Sequence, residues 1–150
     1  MNLDYQLSDE WEEDSLDLST VDETELRYNV ALGDLLLSSN DVDLSARWGW
    51  IPLLDFVLAL NEIAGKLDQE GAEEVFEFTE SSAELRFARL GGKIVISASY
   101  AEGELKVAPT LFEKRIREFA TKIGKEVATK FPGLATNKVF KQWSLFEEKR

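Results

Sequence analysis

Leu85-Arg86-Phe87-Ala88-Arg89-Leu90-Gly91-Gly92-Lys93-Ile94-Val95-Ile96 is the stretch that decides the fold. Leu85, Phe87 and Arg89 alternate with their neighbours at the period of a strand, and Ile94-Val95-Ile96 form another. Between them Gly91-Gly92 spells a two-residue hairpin, since both glycines tolerate positive φ. Working outward, Val75, Phe76 and Phe78 mark a preceding strand, and Glu80-Ser81-Ser82-Ala83 turns the chain into Leu85. On the far side Ala101-Glu102-Gly103 turns it again into Leu105–Val107, before Pro109-Thr110 stops the sheet. Residues from about 73 to 108 therefore read as a four-stranded antiparallel meander.

Helical spacing flanks the meander on both sides. Leu53, Phe56, Val57, Leu60, Ile63, Ala64 and Leu67 mark one face of a helix over about 52–67, and Leu54 and Leu58 widen it. Pro52 suits its first turn, and Trp48-Gly49-Trp50-Ile51 leads into it. Phe112, Ile116, Phe119, Ala120, Ile123, Val127 and Phe131 set a second helix over about 111–131, ended by Pro132-Gly133. Val139, Phe140, Trp143 and Phe146 suit a short closing helix. Upstream, Leu26, Tyr28, Val30 and Leu32 alternate like a half-buried strand, Ser38-Ser39-Asn40-Asp41 reads as a turn, and Val42–Ala46 as a short return strand. The expected architecture is α+β: a mostly antiparallel sheet, from the meander and strands at about 25–46, covered by two main helices. A chain of 150 residues fits one domain, with 1–25 as an acidic arm on a body of 26–150.

Charge is distributed unevenly. The first 25 residues hold ten acids and no base. Residues 26–109 hold fourteen acids and seven bases, and residues 110–150 five acids and ten bases, giving a net charge of -12. Such a field repels nucleic acid and attracts basic partners. The basic positions of the last long helix are interrupted by Glu113, Glu118 and Glu126, so a solvated face, partnered by the acidic head, explains them better than a nucleic-acid site. The opening segment reads in two ways. Leu3, Tyr5 and Leu7 alternate like a strand, with Ser8 capping a helical turn at 9–14; or the whole segment is an acidic arm docked through Trp11, Leu16, Leu18 and Val21.

Neither cysteine nor histidine occurs, which removes disulfides, thiolate ligands and the commonest general base. No apolar run is long enough to span a bilayer and no secretory leader opens the chain, so the expectation is a cytoplasmic protein without a membrane partner. Three constellations invite chemistry. Glu104-Leu105-Lys106, with an acid such as Glu84, has the form of a magnesium-nuclease strand, yet a solvated strand face produces the same alternation. Asp41-Val42-Asp43 begins like a calcium loop but lacks the downstream glycine and glutamate, so a capped turn explains it. Asp55 suits a helix first turn, or a carboxylate aimed at a partner or at an arginine such as Arg47. No cofactor, metal ligand or catalytic residue is expected.

Trp11 stands among Asp9, Glu10, Glu12, Glu13, Asp14 and Asp17. Either it pins the arm to its own domain, or it is an aromatic anchor inside a carboxylate cluster, the form of a ligand for a basic surface. A small, acidic, cysteine-free α+β domain without catalytic residues resembles the immunity proteins that bacteria make against their own polymorphic or contact-dependent toxins. Trp48-Gly49-Trp50-Ile51-Pro52-Leu53-Leu54-Asp55-Phe56, entering a buried helix ahead of a meander and a second helix, is similar to several such domains. The resemblance implies a stoichiometric inhibitor of a toxin, often a nuclease with a basic cleft. Asp9, Glu10, Trp11, Glu12, Glu13, Asp14 and Asp17 are then the expected partner-binding residues. A self-associating adaptor, acidic head to basic helix, is the alternative, and a carboxylate-metal nuclease the last.

Overall fold

Asp22 caps a helix, accepting a hydrogen bond from the Glu25 N–H at 2.9 Å, and so settles the first disputed segment: Glu23–Asn29 is helical (α1), not extended. Its buried residue is Leu26, joined four positions on by Val30, whereas Tyr28 is exposed. That is a helical spacing, and it overturns the strand expected from Leu26, Tyr28 and Val30. A computed structural model of the chain describes residues 1–8, 18–79 and 81–145. Phe146 and Glu80, read above into the closing helix and the first meander turn, lie outside the described residues.

Two antiparallel sheets share one buried cluster. In the first, β1 (Asn2–Leu7) pairs along β2 (Leu32–Ser39) from Asn2 opposite Ser38 to Leu7 opposite Gly33. The other edge of β2 carries a broken return strand, β3 (Val42–Asp43) and then β4 (Ala46–Pro52). Trp48–Pro52 is thus strand rather than a lead-in, and Pro52 closes it opposite Leu32. The second sheet is the expected meander: β5 (Glu73–Glu77), β6 (Glu84–Leu90), β7 (Lys93–Ala98) and β8 (Ala101–Val107), in that order. Gly91 and Gly92 both take positive φ, 60° and 74°, as the hairpin requires. The Glu70 carboxylate accepts both of their N–H groups, at 2.5 and 3.0 Å, and these bonds hold its carboxyl below the usual range.

Helix α2 (Leu53–Lys66) is apolar on much of its circumference because it lies between the sheets and its neighbours, burying Leu53, Leu54, Phe56, Val57, Leu60 and Ile63. Arg89 donates to the Leu67 carbonyl at 3.0 Å, placing a cation at the negative end of this helix. Helix α3 (Pro109–Lys130) starts with Pro109 and ends before Pro132, buries Phe112, Ile116, Phe119, Ile123 and Val127, and leaves its lysines outside. A 3-10 turn (Pro132–Thr136) and α4 (Lys138–Trp143) close the described chain.

The inner faces join through aromatic rings in steps of 5.0–6.0 Å between centroids: Tyr5 to Phe119, Phe56, Phe76, Phe78, Trp48 and finally Trp50. One end of this series is Tyr5 of β1, against α3. The other reaches the surface at Trp50, which is 38% exposed.

Candidate protein-binding surfaces

All seven residues expected to bind a partner, Asp9, Glu10, Trp11, Glu12, Glu13, Asp14 and Asp17, lie outside the described residues. Where their segment is attached is plain. It leaves the body at Ser8, whose N–H donates to the Leu32 carbonyl at 2.8 Å. It returns at Leu18, which is buried and whose carbonyl accepts Asn137 Nδ2 at 2.9 Å. Asn137 Nδ2 also reaches the Val21 carbonyl at 3.1 Å, while its Oδ1 caps α4 through the Val139 and Phe140 N–H groups. One buried amide therefore holds residues 18–21 against the start of α4.

The acids flanking that segment do structural work. Asp4 pairs with Lys122 at 2.6 Å, and the same ammonium lies over the Tyr5 ring at 5.1 Å. Tyr5 donates its hydroxyl to Glu126 at 2.5 Å; burial first, then this bond, pushes the phenol well above its usual range. Arg115 donates to the Met1 carbonyl at 2.9 Å. The attraction between acidic head and basic helix is realised here, inside one molecule, where β1 docks on α3. Asp22 is occupied as the α1 cap, and Glu25 accepts from Asn29.

Asp55 finds an arginine, but it is Arg27 of α1, at 2.5 Å, rather than Arg47. Burial opposes the Arg27 charge, but the hydrogen bond to Asp55 and the attraction of the Asp55, Tyr28 and Glu62 side chains together outweigh it, leaving the guanidinium above its ordinary range. Arg47 pairs instead with Asp43 at 3.5 Å. Hydrogen bonds from Ser45 hold the Asp43 carboxyl below the usual carboxylate range. Asn40, at positive φ, and Asp41 form the turn, and Val42-Asp43 continue from it as β3.

In Glu104-Leu105-Lys106, Leu105 is buried and the flanking charges are exposed. Glu84 stands on β6 with β7 between it and Glu104, so two strand spacings, about 9–10 Å, separate their backbones. Glu84 is held by Arg86 at 2.8 Å. A cleft lined by Met1, Leu3, Leu37, Phe56, Leu60, Phe87, Ile96 and Phe112 carries no polar side chain.

One site was not legible as such. Between Gly33 opposite Ile51 and Leu35 opposite Ala46, β2 has one residue and β4 has four. Arg47-Trp48-Gly49-Trp50 therefore bulges out over Asp34, whose carboxylate accepts the Gly49 N–H at 2.8 Å in place of a ladder partner. Gly49 takes φ +78°, which favours glycine, and the two tryptophans stack at 5.3 Å with planes 20° apart. The sequence signal was Trp-Gly-Trp itself, whose glycine marks a bulge in a strand. Among the described residues no helix is long and apolar enough to cross a membrane. No family model, curated protein or solved structure matches the chain.

Proposed function

We propose that this chain is a non-enzymatic, cytoplasmic binding protein, an immunity protein that neutralises a basic toxin through an acidic surface. The observation that carries the reading is the excess of ten acids over no base in residues 1–25. Asp4 and Asp22 are engaged by the fold and Glu25 accepts from Asn29, which leaves Glu23 and the segment holding Asp9, Glu10, Glu12, Glu13, Asp14 and Asp17 to supply the rest of that excess. Its attachment at Ser8 and Leu18 supports a role on the surface of a folded body rather than on a free tail. Carboxylates there take the place of substrate phosphates in a basic cleft, and Trp11 supplies the apolar anchor. Steering by such a field brings association toward about 10⁸–10⁹ M⁻¹s⁻¹ at low salt, which suits interception of a lethal enzyme. Self-association of head and helix is less favoured, because Lys122 is already paired with Asp4 of its own chain.

The test is survival of cells that co-express this chain with candidate basic toxin domains, nucleases among them. Truncating residues 1–25 would remove β1 and the buried Leu18, so the suitable variant neutralises charge alone: D9N, E10Q, E12Q, E13Q, D14N and D17N together. The wild-type chain is expected to protect and the folded variant to fail. Equal protection by both would remove the acidic segment from the mechanism.

A further inference from the structure

Strand β5 ends its sheet, and among the described residues no strand lies on its outer side. The ladder to β6 fixes which of its backbone groups face that open side. Arg89 donates to the Ala72 carbonyl at 2.9 Å and the Phe78 N–H donates to Ala83 at 3.0 Å, so the even-numbered positions are the hydrogen-bonded pairs with β6. In an antiparallel ladder the alternate residues point their N–H and C=O groups the other way. These are Glu73, Val75 and Glu77, all three exposed, with Val75 40% exposed at the centre. Among the described residues none of their N–H groups has a partner, and neither Glu73 nor Glu77 is in an ion pair.

Charge says what kind of chain fits this edge. From Leu67 to Leu85 there are seven acids and no base. Glu70 is occupied by the hairpin glycines, and Arg86, the cation opposite Val75 on the same face, is paired with Glu84. Glu73 and Glu77, flanking Val75 on that face, are in no ion pair among the described residues. Charged residues on an edge strand normally keep copies of a protein from pairing, and these carboxylates do that to a second copy of this strand. The same charges do not repel a cationic strand.

We propose that the open edge of β5 accepts an extended lysine- or arginine-bearing segment of a protein partner as a fifth strand of its sheet. Three outward N–H and three outward C=O groups supply the ladder, Val75 meets an apolar residue, and Glu73 and Glu77 meet cations across the strand pair. The inference rests on the basic partner proposed above and places part of that contact on the body rather than on residues 9–17.

The test uses the full chain and a synthetic ten-residue peptide of alternating lysine and valine, followed by amide hydrogen exchange and titration. The amides of Glu73, Val75 and Glu77 should exchange at least about ten-fold more slowly with peptide bound. Val75→Pro removes an outward N–H and no ladder bond, so the sheet is kept while peptide affinity falls about ten-fold or more. The charge reversal E73K/E77K should weaken binding similarly and decides the matter should Val75→Pro not fold. The variant neutralised at residues 9–17 should retain the protection. Absence of protection at these three amides, or wild-type affinity in E73K/E77K, overturns the proposal. Because the probe is a peptide, that outcome leaves the co-expression result standing, and a failed rescue does not decide this one.

Discussion

At the scale of single residues, Asn137 is the side chain on which most depends. It is 2% exposed and uses both ends of its amide, donating to two carbonyls of residues 18–21 and accepting two N–H groups of α4. Asn137→Ala removes a cap worth about 1 kcal/mol and strands two carbonyls, each at about 1–2 kcal/mol. The expected loss is about 3 kcal/mol, read from urea unfolding. Asn137→Asp keeps the cap acceptor but sets a buried carboxylate oxygen against the Leu18 and Val21 carbonyls, so it should be no more stable than Asn137→Ala. A loss in Asn137→Ala below about 1 kcal/mol would mean that the return of the acidic segment is held by something else.

At the scale of elements, Gly33 decides how β1 lies on β2. A Cβ there would sit 2.1 Å from the Gln6 carbonyl oxygen, a backbone atom that cannot step aside without breaking the pairing. Gly33→Ala should therefore cost more than about 3 kcal/mol and detach β1 from α3, seen as loss of the Asp4–Lys122 contact by NMR. Gly65→Ala, at a helical position with open space, is the control and should be neutral or slightly stabilising. An intact β1 in Gly33→Ala would contradict the register.

Most of these elements were legible beforehand. The meander followed from two-residue alternation and Gly91-Gly92, and α2 and α3 from stripes that continue over several turns. What failed was short. Leu26, Tyr28 and Val30 satisfy both periods over so few residues, and Asp22-Glu23-Thr24-Glu25, with a cap acceptor and an acid three places on, was the signal that chose helix. Trp48–Pro52 failed for a different reason, since a bulge interrupts alternation and only the opposing strand reveals it. The open edge of β5 was invisible because strand order, not strand pattern, makes an edge. The acidity of residues 9–17 was plain from composition, whereas the capture of Asp4 by Lys122 needed β1 and α3 to be brought together.

For the whole molecule, a net charge of -12 is both a cost and a tool. Mutual repulsion disfavours the compact state, and the fold answers locally, at Asp4–Lys122, Arg27–Asp55 and Arg89 at the end of α2. The acids of residues 9–17 and of the β5 edge add to this field from two parts of the sequence. The most direct measurement is the association rate with the toxin domain against which the chain protects, by stopped flow from low to high salt. The account predicts a rate that falls steeply with salt in the wild-type chain and shallowly in the variant neutralised at Asp9, Glu10, Glu12, Glu13, Asp14 and Asp17. Identical rates and identical salt slopes for the two chains would contradict it.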